Sequence, residues 1–157
     1  MFWVTGCIGG VDKMEIAIIA NDSKKELMTQ FCIAYCGILS GHNICATHTT
    51  GKYISEVTGL NIETYLSGSI GGIEQIASRV AYNEIDLVLF FRGTERETEA
   101  TEAETSLFRL CDIYNIPLAT NMATAEALVT ALGNGDFNWR NFVNPTSDYN
   151  KGKRAKN

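Results

Sequence analysis

The sequence lacks the features of a membrane protein, of a metal protein and of a general nucleic-acid binder. No apolar run approaches the roughly 18 residues that a membrane-spanning helix needs, so no membrane contact is expected. The 157 residues carry a net charge of −5, which argues against broad binding to nucleic acid. Cysteine occurs five times, an odd count, at spacings that match no metal signature. We therefore expect neither a metal nor another cofactor.

The cysteines indicate a reducing environment. They are Cys7, Cys32, Cys36, Cys45 and Cys111. Cys32 and Cys36 lie four residues apart on a predicted helix and share a face, which favours core packing over a ligand pair. Free thiols suit a cytoplasmic location.

The chain length predicts one domain with a sizeable core. Residues 1–13 have no cationic start and are a poor signal peptide, so we interpret them as an N-terminal extension or an added segment. Residues 14–145 form the predicted domain. Residues 146–157 form a basic tail that we expect to be flexible, with an arm that touches an anionic ligand as the alternative.

Short apolar runs alternate with amphipathic stretches along the predicted domain. Strands are predicted at 16–20, 43–46, 63–66, 85–91 and 116–119, with a further edge strand at Phe142 and Val143. Helices are predicted from Asp22 or Ser23 to Gly41, from 47 to 57, and over 73–82, 102–114 and 123–132. This order predicts an α/β fold with a doubly wound, mainly parallel five-stranded sheet flanked by helices.

The segments that follow the predicted strands are rich in small polar residues. They are 21–25, 47–51, 67–72, 92–94 and 120–124, and few carboxylates occur among them. Ligands of such sheets bind beyond the carboxyl ends of the strands. The composition there predicts a pocket for a phosphorylated, anionic small molecule.

Several of these segments, taken together, resemble the methylglyoxal synthase family. The resemblance covers about residues 15–143 and is carried by Ala20-Asn21-Asp22-x-x-Lys25, Ala46-Thr47-His48-Thr49-Thr50-Gly51, Leu66-Ser67-Gly68-Ser69-Ile70-Gly71-Gly72, Ile85-Asp86 with Phe90-Phe91, and the run from Asn115 to Ala125. It implies the family fold, a homo-oligomer (a hexamer in the family), and an enzyme that eliminates phosphate from dihydroxyacetone phosphate.

The resemblance also implies which residues hold the phosphate. The family uses a lysine, a threonine cluster and a Ser-Gly pair, which here read Lys25, Thr47, Thr49, Thr50, Ser67 and Gly68. An ammonium group, three hydroxyls and a helix N-terminus are suited to a dianion. The alternative is that the threonines only cap the following helix.

Other family positions differ in chemistry. The aspartate that follows Gly-Gly in the family, its general base, is Ile73 here, and the family histidine before Asp22 is Asn21. Neither replacement titrates, and Asn21 is predicted to contact the ligand only as a hydrogen-bond partner. The acidic loop after the central strand is also replaced, by residues 92–102. Asp22 and Glu74 are the remaining candidates for a relocated base, although a helix-start Glu74 is also explained by the helix dipole.

Two residues add possible ligand contacts. His48 lies between the threonines, and Arg92 follows the central strand, where it forms either a pocket contact or a surface salt bridge. His42 precedes a strand, and we expect it to be exposed.

These features lead to a functional hypothesis and an alternative. The main hypothesis is a protein that binds a phosphorylated small molecule, such as a nucleotide or cyclic nucleotide signal, without the family chemistry, and acts as a sensor or sequestering protein. The alternative is a methylglyoxal synthase with a relocated base. A lyase or hydrolase that acts on another substrate through Asp22 and a structural subunit of an active homologue also remain open.

Overall fold

One parallel sheet organises the chain. The computed structural model describes residues 10–95 and 99–140. The strands are β1 (Glu15–Ala20), β2 (Asn43–Ala46), β3 (Ile62–Thr64), β4 (Leu87–Phe91) and β5 (Leu118–Ala119). Their order is β3-β2-β1-β4-β5, and every pairing in this sheet is parallel. The predicted α/β fold with five strands is confirmed, and the sheet formed by the described residues is wholly parallel rather than mainly so.

At least one helix follows each strand. The helices are α1 (Lys25–Ala34), α2 (Cys36–Leu39), α3 (His48–Thr58), α4 (Gly72–Ala81), α5 (Glu102–Ile113) and α6 (Met122–Gly133), with single 3-10 turns at Asp22–Lys24 and Gly68–Ile70. Within the described residues, no helix is long and apolar enough to cross a membrane.

Both faces of the sheet are buried, as the apolar strands predict. Along β1, Ile16 and Ile18 face a core formed with α1, α2, α3 and α6. Ala17 and Ile19 point the other way, into a core formed with α4 and α5. Because side chains alternate along a strand, one short apolar run supplies both cores.

Some predicted boundaries differ from the structure. The helix predicted up to Gly41 divides at Tyr35, which separates α1 from α2. The ladder of β4 begins at Leu87 rather than Ile85, and β3 is Ile62–Thr64 rather than 63–66. The predicted strand at 142–143, the tail at 146–157 and residues 1–9 lie outside the described residues, so the domain boundaries remain predictions.

A buried arginine at the end of the described chain ties the sheet to its last segment. Arg140 is only 1% exposed. Its Nε donates to Asp86 Oδ1 at 3.1 Å, and its Nη atoms donate to the carbonyls of Asn115 (2.7 Å) and Ile85 (3.4 Å). Asp86 Oδ2 in turn accepts from Glu15 N at 2.8 Å. This network satisfies a charge that would otherwise be costly to bury.

We expect Arg140→Met to destabilise the fold. The change leaves the carboxylate of Asp86 without its cation, and breaking such a pair costs about 3–5 kcal/mol. Urea unfolding measures the loss. Arg109→Met is the matched control, because Arg109 is exposed and its loss should change the free energy of unfolding by less than about 0.5 kcal/mol. Equal stability of the two variants would contradict this assignment.

The loop between β3 and α4 is unusually tight. Ser67 O accepts from both Ile70 N and Gly72 N at 3.0 Å, and Gly71 has φ +113°. A Cβ atom on Gly72 would overlap the carbonyl oxygen of Leu66. The two successive glycines are therefore required by the backbone, one by its dihedral angle and one by close approach.

Gly72→Ala should strain this loop and lower the free energy of unfolding by about 1–3 kcal/mol. Gly68→Ala is the control in the same loop, because the nearest atom to its Cβ is Ile73 Cδ1 at an ordinary 3.5 Å. Thermal unfolding of both variants tests this. A Gly72→Ala protein as stable as Gly68→Ala would show that the loop relaxes without cost.

Candidate active site

A cavity of about 340 Å³ lies at the carboxyl edge of the sheet, where β1 lies between β2 and β4. This is the switch point of a doubly wound fold, the usual ligand position. The lining residues are Ile19, Ala20, Asn21, Asp22, Lys25, Thr47, Thr49, Ser67, Gly68, Ser69, Ile73, Thr101 and Glu104. The structure thus brings most of the predicted site residues together.

A larger cavity, about 570 Å³, lies at the opposite edge of the sheet. Lys13 and Arg79 are the cations in its lining, and Arg79 lies near three carboxylates: Glu84 at 3.2 Å, Glu15 at 3.6 Å and Glu63 at 4.0 Å. The lining includes none of the predicted site residues. The smaller cavity, which holds the predicted site residues, is therefore the candidate site.

Lys25 supplies the ammonium group of the smaller cavity. Its Nζ donates to Ala20 O at 3.3 Å and to Asp22 Oδ1 at 2.5 Å. The Asp22 side chain is fully exposed, whereas that of Lys25 is 20% exposed. The hydrogen bond and the charge of Lys25 lower the pKa of Asp22. Asp22 therefore remains a paired carboxylate and is a weak base.

The threonines form the first turn of α3. Thr47 precedes the helix and is buried with Thr50, and its Oγ1 donates to Thr50 Oγ1 at 3.4 Å. Thr47 makes no side-chain capping bond to the helix. Thr49 lines the cavity, whereas Thr50 lies behind it. Capping alone therefore does not account for the Thr47 hydroxyl.

The tight loop forms another wall. Ser67, Gly68 and Ser69 line the cavity, and α4 begins directly after them. Ile73, the second residue of α4, is buried and lines the cavity as well. Glu74 is exposed and is not a lining residue, because the next helical position points about 100° away.

Three residues differ from their predicted positions: two predicted ligand contacts do not line the cavity, and one predicted surface residue is buried. His48 is exposed on the first turn of α3 and is not a lining residue. The Arg92 guanidinium lies 4.8 Å from the ring centre of Phe108, also outside the cavity lining. The expectation that His42 is exposed was wrong: it is buried, and its Nδ1 accepts from Met14 N at 2.9 Å. Burial lowers the pKa of His42.

Asn21 links three elements at the cavity wall. Its backbone N–H donates to Phe91 O at 3.0 Å, and its side-chain Oδ1 accepts from Gly93 N at 2.6 Å. Its Nδ2 donates to Glu104 Oε1 at 3.2 Å. The amide therefore uses both its donor and its acceptor, and it holds the end of β1 against the exit of β4 and the start of α5.

Glu104 is a cavity carboxylate that the sequence analysis does not predict, and Thr101 beside it also lines the cavity. Glu104 is the third residue of α5, is 6% exposed, and forms a reciprocal capping box with Thr101: Glu104 N donates to Thr101 Oγ1, and Thr101 N donates to Glu104 Oε2. The Thr-x-x-Glu spacing signals a helix start and was available in the sequence. That the same carboxylate faces the pocket depends on the packing of α5.

Comparison with known proteins identifies the family. Residues 33–120 match the MGS-like domain family. Methylglyoxal synthase from Caldicellulosiruptor saccharolyticus is 53% identical over 138 residues, covering 88% of this chain and 98% of that protein. The Bacillus subtilis methylglyoxal synthase is 48% identical over 130 residues (83% and 95%). The crystal structure of methylglyoxal synthase from Elizabethkingia anophelis superposes with a TM-score of 0.69 at 33% identity, over 77% of this chain and 80% of that one.

These relatives overturn the main functional hypothesis. A sensor or sequestering protein without family chemistry was the wrong interpretation, because proteins sharing about half of these residues over nearly their full length are methylglyoxal synthases. A nucleotide ligand has no support among them. The alternative, an enzyme, is favoured instead. The chain belongs to the methylglyoxal synthase family.

Proposed function

We propose that the protein binds dihydroxyacetone phosphate and eliminates its phosphate to form methylglyoxal. The observation that carries the proposal is the 53% identity to a methylglyoxal synthase across 98% of that relative's length. The cavity at the sheet switch point supports it, because it combines an ammonium group with hydroxyls and a glycine loop.

The phosphate subsite is formed by α1, the α3 turn and the loop before α4. Lys25 Nζ has three hydrogens, and within the described part of the chain two acceptors engage it, Ala20 O and Asp22 Oδ1. The third hydrogen is left for a phosphate oxygen. Hydroxyls of Thr49 and Ser67 add neutral donors, Thr47 lines the same subsite, and Gly68 lets the backbone approach closely. Thr50 supports Thr47 from behind.

The rest of the cavity suits a small substrate. Ile19, Ala20 and Ile73 provide apolar surface opposite the polar groups. A volume of about 340 Å³ is at the lower end of the range for ligand pockets. Apolar walls exclude water from the carbon atoms that react, and this protects a reactive intermediate from side reactions. The proposal gives His48 and Arg92 no direct contact with the substrate.

Incubation of the purified protein with dihydroxyacetone phosphate tests the proposal. Methylglyoxal and inorganic phosphate should appear in a 1:1 ratio, because the elimination consumes neither water nor an oxidant. Phosphate release without methylglyoxal would indicate a hydrolase. Release of neither product would contradict the proposed function.

Lys25→Met should lower kcat/KM by about 10- to 100-fold. A hydrogen bond to a charged group contributes about 1.5–3 kcal/mol, and each 1.36 kcal/mol is tenfold in rate. Lys24→Met is the matched control. It removes the same charge from the neighbouring residue, and Lys24 does not line the cavity. Steady-state kinetics on both variants checks the prediction. Equal loss in both would mean that only net charge matters.

Assembly and location remain part of the proposal. The family resemblance predicts a homo-oligomer, a hexamer in the family, and light scattering measures it. Cys32, Cys36, Cys45 and Cys111 are free thiols, which fits a cytoplasmic enzyme.

A further inference from the structure

The proposed elimination needs a group that takes a proton from carbon. The identity of that residue is inferred below, and the inference rests on the proposed function. A general base must reach the carbon that reacts, in a state able to accept a proton. The lining residues that carry a carboxylate are Asp22 and Glu104. The exposure and the hydrogen-bond donors of these two carboxylates differ, and these differences show which of them is suited to be the base.

Asp22 is unsuited to this role. Its side chain is fully exposed and its carboxylate forms an ion pair with Lys25. That contact lowers the pKa of Asp22 and so weakens it as a base. A phosphate that binds Lys25 would also place its own negative charge beside Asp22. Asp22 would then lie next to the phosphate group of the substrate and not next to the carbon that loses a proton.

Other carboxylates near the sheet lie away from the cavity. Glu74 follows Ile73 on α4 but is exposed and outside the lining. Asp86 lies at the amino end of β4, where Arg140 and the backbone of Glu15 bind it. Neither reaches the pocket in the described structure.

Glu104 has the required placement. It is 6% exposed, and neutral donors bind its two oxygens: Asn21 Nδ2 at 3.2 Å and Thr101 N at 3.1 Å. A carboxylate has about four acceptor sites, so these two bonds leave lone pairs for a substrate proton. Asn21 is itself fixed by Gly93 N. The carboxylate is thus oriented before substrate arrives, which is the condition for efficient proton transfer.

We propose that Glu104 is the catalytic base of this enzyme. Its carboxylate takes one proton from the hydroxymethyl carbon of dihydroxyacetone phosphate, and the C–H electron pair forms an enediolate. The remaining hydroxyl loses its proton to the departing phosphate, the carbon–oxygen bond to phosphate breaks, and the enolate of methylglyoxal remains. The enolate carbon that carried phosphate then takes up one proton and becomes the methyl group, which balances the proton held by Glu104. Asn21 is a positioning residue for this carboxylate.

Glu104→Gln provides the test. Glutamine is nearly isosteric and fits a capping box, but it cannot take a proton from carbon. Its single oxygen accepts from either Asn21 or Thr101 rather than from both, so we expect a Tm loss of about 2–4 °C. With the fold retained, kcat should fall by about 10²–10⁴-fold with little change in KM.

Glu102→Gln is the matched control. Glu102 is exposed on the same turn of α5, outside the cavity lining, and its replacement should leave kcat unchanged.

The outcomes separate the two proposals. An inactive wild type would refute the proposed function and this inference with it. An active wild type with undiminished kcat in Glu104→Gln would overturn this inference alone, and loss of activity in Asp22→Asn would then assign the base to Asp22. If Glu104→Gln does not fold, Glu104→Asp decides, because a carboxylate withdrawn by one carbon should lower kcat by about 10²-fold. Full activity in that variant would also overturn the assignment.

Discussion

The side-chain amide of Asn21 joins the end of β1 to the exit of β4 and to the first turn of α5. β1 lies between β2 and β4, and the chain that leaves β1 must be fixed against both the exit of β4 and the start of α5. Asn21 accepts from Gly93 N and donates to the carboxylate of Glu104. An ionised aspartate at this position has no donor for that carboxylate, whereas an amide has one acceptor and one donor group. The cavity wall therefore depends on a neutral residue at position 21.

The first turns of α4 and α5 meet the same cavity because both helices begin at the carboxyl edge of a parallel sheet. Ile73 contributes apolar surface from α4, and Glu104 contributes a carboxylate from α5. The two helices pack together on one face of the sheet. A carboxylate in either first turn interacts favourably with the helix dipole. A carboxylate on the first turn of α5 therefore lines the same cavity as an apolar side chain on the first turn of α4.

Local patterns predict the fold and the phosphate loop well, whereas contacts between distant residues limit the rest. Apolar alternation predicts the sheet, and the run of residues 66–72 predicts a tight turn that the clash at Gly72 explains. The burial of His42 depends on Met14, which lies 28 residues away in the chain. The cavity position of Glu104 depends on Asn21, 83 residues away. No local spacing signals either contact, and a comparison made one motif at a time overlooks the carboxylate that α5 brings to the cavity.

The two carboxylates that line the cavity, Asp22 and Glu104, accept hydrogen bonds from different kinds of donor. This difference separates what each carboxylate can do chemically. Lys25 engages Asp22 through a full positive charge, but the Asp22 side chain is exposed, and exposed ion pairs contribute little free energy. A phosphate dianion therefore competes for Lys25 at small cost. The donors described for Glu104 are neutral, one amide and one backbone N–H, so its charge is oriented without being neutralised. In the proposed reaction the phosphate would bind the Lys25 cation, whereas the Glu104 carboxylate keeps lone pairs that can take a proton.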